Sequence, residues 1–227
     1  MSKTFTEIVE KKCAKLFTEF KEAPQLVSFV SSGTPIAIAS HLRKMMLDNP
    51  KEEVSVELGG LMKFTLKINK RGDSVAFTPE FELLEKGLKY IAKDDLSFDH
   101  DDCDTFGLAL IDSDDLLVAC REAIAGKVFN DEEWVDEDTK KDKKGIVFDE
   151  ESDVAVCVAS VIISVIEILA NNKDASNEIE YDVAGFGTFK VAQIKDGWSV
   201  KLTFDKIFKQ HCKSDKLAEK IAKLDIA

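Results

Sequence analysis

An internal repeat limits the possible folds of this chain more than any other feature of its sequence. Residues 54–78 align with residues 179–203 without a gap, at an offset of 125 positions, and 7 of the 25 aligned residues are identical. The identities include Gly60 with Gly185 and Phe64 with Phe189. Because a repeat of this length indicates duplicated structural units, the sequence predicts two related lobes within one chain.

Hydrophobic periodicity predicts the elements of the first lobe. Apolar residues spaced by three and four predict a helix over residues 4–22. A second helix is predicted to begin at Thr34-Pro35, an N-cap followed by proline, and to end before Pro50. Alternating apolar residues then predict strands around residues 54–58 and 64–68.

The same order of elements is predicted in the second lobe. The first lobe closes with a third strand and a helix that we expect to open at Thr78-Pro79. The second begins with a helix after Ser113 and continues with a nearly all-apolar helix over residues 152–171. Asp196-Gly197 predicts a tight hairpin, and Ser214 is expected to cap the last helix.

Charge is divided unevenly along the chain and suggests the domain boundaries. The net charge of the 227 residues is −12. Residues 94–151 hold 20 acidic and 6 basic side chains, a net of −14, whereas the rest holds 23 and 25, a net of +2. We therefore assign a first lobe to residues 1–93, an acidic linker to 94–112, and a second lobe to 113–227 with a charged insertion at 130–151.

Membrane and secretory classes are not expected. The longest apolar run, Val154 to Ile166, is 13 residues long and contains two serines. It is shorter than the roughly 20 residues that span a bilayer. No secretory signal is recognisable at the N-terminus, and the 5 cysteines form no CxxC pair. Reduced, buried thiols of a cytosolic chain are therefore expected.

The stretch Gly185-Phe186-Gly187-Thr188-Phe189 resembles the bacterial histone-like family, HU and integration host factor. The resemblance covers about residues 113–224, and residues 60–64 are a degenerate form of the same segment. It implies an α+β fold of two tandem lobes, each with a helix pair, a β-hairpin sheet and a C-terminal helix. It also implies that the glycines allow close approach of chain and helices while the phenylalanines fill a core. These signature residues are Gly60, Phe64, Gly185, Phe186, Gly187 and Phe189.

The hairpins depart from the family in the part that binds DNA. Family members use long basic arms tipped by a proline that wedges between base pairs. Here the hairpins run only from Ile68 to Val75 and from Ile194 to Val200, and neither contains proline. DNA binding is therefore possible but not favoured, and solvated hairpin charges are expected. Candidate nucleic-acid contacts under the DNA reading are Lys67, Lys70, Arg71, Lys190 and Lys195.

Patterns typical of catalysis or cofactor binding are missing from the sequence. The acidic run that starts at Asp99 has Asp104 and Leu110 where a calcium loop needs glycine and glutamate. His211 and Cys212 are adjacent in sequence, so they are a poor nucleophile and base. We expect no catalytic residues, no metal, no cofactor and no small-molecule substrate.

Protein contacts are the favoured activity. Trp134 and Trp198 are expected to be exposed aromatics that could contact a partner. Tandem, divergent lobes of this kind resemble integration-host-factor-like virion proteins of tailed phages, including the crAss-like group. That resemblance implies a neck or tail ring subunit in a multimeric assembly, located in the virion if phage-encoded and otherwise in the cytoplasm. The alternatives are a DNA-architectural protein with a self-inhibitory acidic middle, and an acidic DNA mimic that blocks a host nucleoid protein.

Overall fold

The architecture is seen in a computed structural model of the chain. It describes residues 5, 7, 9, 25–50, 53–71, 74–98, 115–120, 123, 151–173 and 178–223, without the side chains of 25–29, 71 and 151–154. Most of the predicted helix 4–22, the acidic residues 99–112 and the insertion 130–150 lie outside the described residues.

The described elements form a mixed α+β fold, as predicted. The first half of the chain contains α1 (Gln25–Asp48), β1 (Val54–Leu58), β2 (Met62–Arg71), β3 (Ser74–Leu83) and α2 (Glu85–Ile91). The second half contains α3 (Glu151–Asn171), β4 (Ile179–Val183), β5 (Gly187–Ile194), β6 (Gly197–Phe204), α4 (Lys206–His211) and α5 (Asp215–Ala222). Phe5, Glu7, Val9 and residues 115–120 and 123 are also helical.

Each half contributes one three-stranded antiparallel sheet. The strand orders are β1-β2-β3 and β4-β5-β6. The central strands are therefore β2 and β5, which follow the turns that contain Gly60 and Gly185. Val56 pairs with Phe64 in the first sheet, and Tyr181 pairs with Phe189 in the second. The alternation of apolar and polar residues therefore predicted these strands correctly, since one face of each sheet is buried.

The predicted start of the second helix at Thr34-Pro35 was wrong. Both residues lie inside α1, which begins nine residues earlier at Gln25. The Thr34 hydroxyl donates to the carbonyl of Val30, 3.0 Å away, instead of capping a helix end. Proline within a helix costs about 3 kcal/mol. Here the surrounding core overrides that preference, since Ala37, Ile38 and Ala39 are fully buried.

The predicted helix start at Thr78-Pro79 was also wrong, because both residues belong to β3 and the helix, α2, begins only at Glu85. Pro79 lies opposite Leu66 in the register, on an edge strand where a missing N–H is tolerated. Exposure alternates along β3, with Thr78, Glu80 and Glu82 outward. This period of two was present in the sequence, but the Thr-Pro signal for a helix start outweighed it.

The gapless repeat holds only up to the central strand. Val54 pairs with Leu66, and Ile179 pairs with Val191, which agrees with an offset of 125. Beyond the hairpins, Met62 pairs with Leu83 whereas Gly187 pairs with Phe204, so equivalent residues are 121 positions apart. The first hairpin is four residues longer, and the sequence identities after it do not occupy equivalent positions.

The two halves interlock around one aromatic core. Helix α2 packs on α3 of the second half, and α4 packs on α1 of the first half. The edge strands β3 and β6 also contact each other. The Phe64 ring centroid lies 5.7 Å from that of Phe186, and the Phe81 ring lies 5.3 Å from that of Phe189. Each half therefore completes the core of the other.

Helix α3 is buried along most of its length. Its predicted helical character is confirmed, and every described residue from Ala155 to Ile166 is buried. Ser160 satisfies its hydroxyl by donating to the carbonyl of Val156, 2.9 Å away. Within the part of the chain that the structure describes, the helices fall short of the length and apolar character needed to cross a membrane.

Candidate interaction surface on the two sheets

The signature glycines lie in or beside the turns that join the first strand of each sheet to its central strand. Gly60 and Gly185 occupy equivalent turn positions with φ of 68° and 81°, a left-handed conformation that favours glycine. Gly187 has a φ of 129°, and a Cβ there would overlap the carbonyl oxygen of Thr203. Gly60 is therefore favoured by its backbone conformation alone, whereas Gly185 and Gly187 are also required by close approach.

The signature phenylalanines lie inside the protein, away from the outward faces of the sheets. Phe64, Phe186 and Phe189 have no exposed surface. Phe64 lies against rings of the second half, with centroid distances of 6.3 Å to Phe204 and 6.0 Å to Phe208. The structure therefore brings four of the six signature positions, Phe64, Gly185, Phe186 and Phe189, to the interface between the halves, whereas Gly60 and Gly187 meet residues of their own half.

The opposite, outward faces of the sheets form the candidate interaction surface. In the first sheet this face carries Glu57, Lys63, Lys67, Glu80 and Glu82, and in the second it carries Glu180, Asp182, Lys190 and Lys201. Glu53 and Glu178 lie at its margins, beside Lys67 and Lys190. Carboxylates therefore outnumber lysines on the described part of this surface.

Lys67 is held by carboxylates from neighbouring strands. Its Nζ lies 2.8 Å from Glu80 Oε2 and 3.8 Å from Glu53 Oε2. The hydrogen bond and the charge of Glu80, followed by the charge of Glu53, raise the pKa of Lys67. Lys63 similarly lies 3.7 Å from Glu57. A phosphate that approached either lysine would also meet the negative charge of these carboxylates.

Lys190 in the second sheet is also held by two carboxylates. Its ammonium contacts Glu180 directly and lies 3.5 Å from Glu178 Oε1. The hydrogen bond and charge of Glu180 raise the pKa of Lys190, with a smaller contribution from Glu178. The offset of 125 places Thr65 and not Lys67 opposite Lys190, so the two lysines are not equivalent in the repeat, but each sheet carries a lysine paired with two carboxylates.

The remaining candidate nucleic-acid residues lie at the hairpin ends. Lys70 donates to the carbonyl of Ala222, 3.3 Å away, at the last residue of α5. Arg71 ends β2 opposite Ser74. Lys195 is exposed in the two-residue turn of the second hairpin, beside Asp196. Lys70 and Lys67 lie three residues apart in β2, so their side chains project from opposite faces of that strand.

Trp198 is not the exposed aromatic that the sequence suggested. Its side chain is half-buried and packs against the core. Lys173 Nζ lies 5.6 Å from the centroid of its ring. Its position beside a hairpin turn predicted exposure, whereas packing against the core of the same chain covers part of the indole. Trp134 lies outside the described residues.

Lys173 is an interface residue that sequence reasoning missed. Only 9% of its side chain is exposed, and its Nζ lies 3.2 Å from Asp94 Oδ1. It donates to the carbonyl of Ile91, 2.7 Å away, and to that of Lys93. The lysine therefore joins the end of α3 to the end of α2. Its position just after an apolar helix gives no local signal of that contact.

The described thiols are poor nucleophiles. Cys120, Cys157 and Cys212 are buried. Burial raises the pKa of Cys120 and of Cys212 to about 12 in each case, and Arg43 and Lys213 only partly oppose the shift of Cys212. Both thiols are therefore protonated at neutral pH, which argues against a nucleophilic role for the His211-Cys212 pair.

A metal centre is not indicated by the described side chains either, because no three histidines, cysteines or carboxylates among them could hold an ion. The acidic run from Asp99 to Asp104 lies outside those residues.

His41 is buried in α1, and its Nδ1 has no hydrogen-bond partner within the described chain. Burial lowers the pKa of His41, against an opposing effect of Asp115.

Comparison of the chain with protein-family models, with curated proteins and with solved structures gave no significant match.

Proposed function

We propose that this protein is a non-enzymatic structural subunit built on an HU- and integration-host-factor-like fold. It acts through protein contacts as a phage virion component of the neck or tail ring. The observation that carries the proposal is the neutralisation of the lysines on the outward sheet faces by carboxylates of adjacent strands. This surface suits a mixed-charge protein interface better than a polyanion.

The family-like fold is supported by the arrangement of the two halves. Each has a long helix, three antiparallel strands and a short helix, in that order. The short helix of each half packs on the long helix of the other, as expected for a pseudo-dimer within one chain. The glycine turns and the shared phenylalanine core are the features that the family resemblance implies.

The alternative is a DNA-architectural protein, and it makes a different electrostatic demand. Binding to duplex DNA gains its affinity from lysines and arginines that release counterions. Lys67 and Lys190 are already paired with Glu80 and Glu180, whose charges would oppose the approach of a phosphate. The described hairpins, moreover, have turns of two residues and present no long arm.

Two measurements on the full chain test the proposal. Native mass spectrometry and electron microscopy over a range of concentrations should show DNA-independent multimers, including closed rings. Fluorescence anisotropy with a labelled duplex at low salt should show no saturable binding. A chain that stays monomeric and binds the duplex with an affinity that falls steeply with salt would overturn the proposal in favour of the alternative.

A matched variant makes the DNA measurement informative. Glu80→Gln with Glu180→Gln removes the nearer carboxylate charge beside Lys67 and Lys190 while it preserves the size of the side chains. We expect this variant to bind the duplex more tightly than the unmodified chain, with a steeper salt dependence. Equal affinity of the two proteins would show that carboxylate pairing does not control access to these lysines.

A further inference from the structure

Equivalent positions at the interface between the halves carry side chains of different size. The amide of Leu84 donates to the carbonyl of Leu61, 2.9 Å away, and that of Asp205 donates to the carbonyl of Phe186, 3.0 Å away. These matching hydrogen bonds show that Leu61 corresponds to Phe186. By the same correspondence Leu83 is equivalent to Phe204. Gly87 is equivalent to Phe208, because each is the third residue of its short helix.

The second half carries the large member at each of these positions. Its three rings surround Phe64 of the first half, with centroid distances of 5.7, 6.3 and 6.0 Å. The Phe204 and Phe208 rings also lie 4.5 Å apart. The second half therefore presents an aromatic socket that one phenylalanine of the other half fills.

The first half carries the small member at each position. A Cβ on Gly87 would overlap the carbonyl oxygen of Leu61 and would lie 2.9 Å from Leu83 Cγ. Helix α2 therefore approaches its own turn too closely to carry a side chain there, whereas α4 places a whole phenylalanine at the corresponding position. At these three positions the first half offers no ring, and the Phe189 ring of the second half lies against Phe81 instead.

The polar contacts between the halves differ in the same way. On one side, Lys220 donates to the carbonyl of Leu47, 2.5 Å away, and Arg43 donates to that of Lys213, 3.4 Å away. On the other side, Glu167 accepts a hydrogen bond from the Phe98 amide at 3.3 Å, and Lys173 reaches the end of α2. Each of these contacts joins a residue of one half to a residue of the other, so a half paired with its own copy could form neither set as it stands.

From these observations we infer that the two halves recognise each other and not copies of themselves. Protein interiors are close-packed, so pairing two first halves would leave unfilled volume in the core. Pairing two second halves would place more phenylalanine rings in that core than it holds in the observed structure. The partner that fits either half is the complementary half, from the same chain or from a second copy. This specificity does not depend on the proposed assembly role.

The experiment uses the full chain with a single protease site inserted within residues 101–110, cleaved after folding. The two fragments should stay together on sizing. After unfolding in urea, refolding and native mass spectrometry, we expect only the 1:1 complex of first and second fragment. Homodimers in the proportions of random association would overturn the inference. So would a failure to reassemble, because connectivity alone would then hold the halves together.

A second pair of variants tests size matching as the cause. Leu61→Phe with Leu83→Phe gives the first half side chains of the second, and Leu61→Met conserves volume at the same site. The phenylalanine variant should lose most of the 1:1 complex on refolding, whereas the methionine variant should retain it. If both reassemble as well as the unmodified fragments, the side-chain sizes do not determine the pairing.

Discussion

Alanine at position 185 should destabilise the protein much more than alanine at the equivalent position 60. Both glycines have a left-handed φ, and a residue with a Cβ pays about 1–2 kcal/mol for that conformation. A Cβ at position 60 meets only Lys86 Cδ, 3.9 Å away, which is ordinary contact. A Cβ at position 185 would lie 2.6 Å from Pro35 Cγ, and the proline ring cannot rotate away.

The expected losses follow from these distances. Gly60→Ala should lower the free energy of unfolding by about 1–2 kcal/mol, the conformational cost alone. Gly185→Ala adds an overpacking cost of about 1–3 kcal/mol, so the total is about 2–5 kcal/mol. Urea denaturation followed by circular dichroism measures both values, provided that the m-value is unchanged.

A double-mutant cycle isolates the contact with Pro35. Pro35→Ala removes the Cγ atom and leaves the Cβ, which would lie 3.6 Å from the new methyl group. In the Pro35→Ala background, Gly185→Ala should therefore cost only about 1–2 kcal/mol, as Gly60→Ala does. Equal losses for Gly60→Ala and Gly185→Ala in the unmodified chain would refute the close approach of α1 to this turn.

Three further predictions concern other glycines, a buried histidine and the thiols. Gly187→Ala should prevent stable folding, because its Cβ would overlap backbone atoms, whereas Gly197→Ala meets nothing within 4 Å and should cost about 1–2 kcal/mol for its φ of 142°; soluble yield and urea midpoints distinguish the two, and equal midpoints would contradict the expectation. Burial lowers the pKa of His41, so the unfolded chain takes up that proton first. The contribution of His41 to the free energy of unfolding is present above about pH 6.5, and it is lost as the pH falls through the pKa of His41 in the folded chain. Urea titrations at several pH values should show this loss and its reduction in His41→Leu, and an identical pH dependence in both chains would count against it. With pKa values of about 12, Cys120 and Cys212 should resist alkylation at pH 8 in the folded chain and react in urea; site-resolved mass spectrometry would contradict this if both labelled quickly without urea.

Local patterns predicted the strands, the buried helix and the last cap. The alternation in residues 54–58 and the apolar run of α3 are each read within a few turns or pleats of chain. Ser214 accepts a hydrogen bond from the Leu217 amide, as its place before the last helix indicated. Such signals succeed because short-range periodicity and capping depend on neighbouring residues alone.

Local patterns failed where two elements compete for the same residues. Thr34-Pro35 and Thr78-Pro79 both fit the start of a helix, yet one lies within α1 and the other within β3. Packing of α1 against the core and pairing of Pro79 with Leu66 decided these cases. Contacts distant in sequence outweigh a local preference of a few kcal/mol.

The candidate surface depended on the same distant contacts. The lysines were visible in the sequence, but the positions of Glu80 and Glu180 beside them follow from strand register. The amino-acid sequence by itself determined the duplicated glycine turns, the pleated strands and the uneven distribution of charge. Only the tertiary structure decided which carboxylate neutralises which lysine and which half supplies the rings around Phe64, because both depend on how separate parts of the chain pair in space.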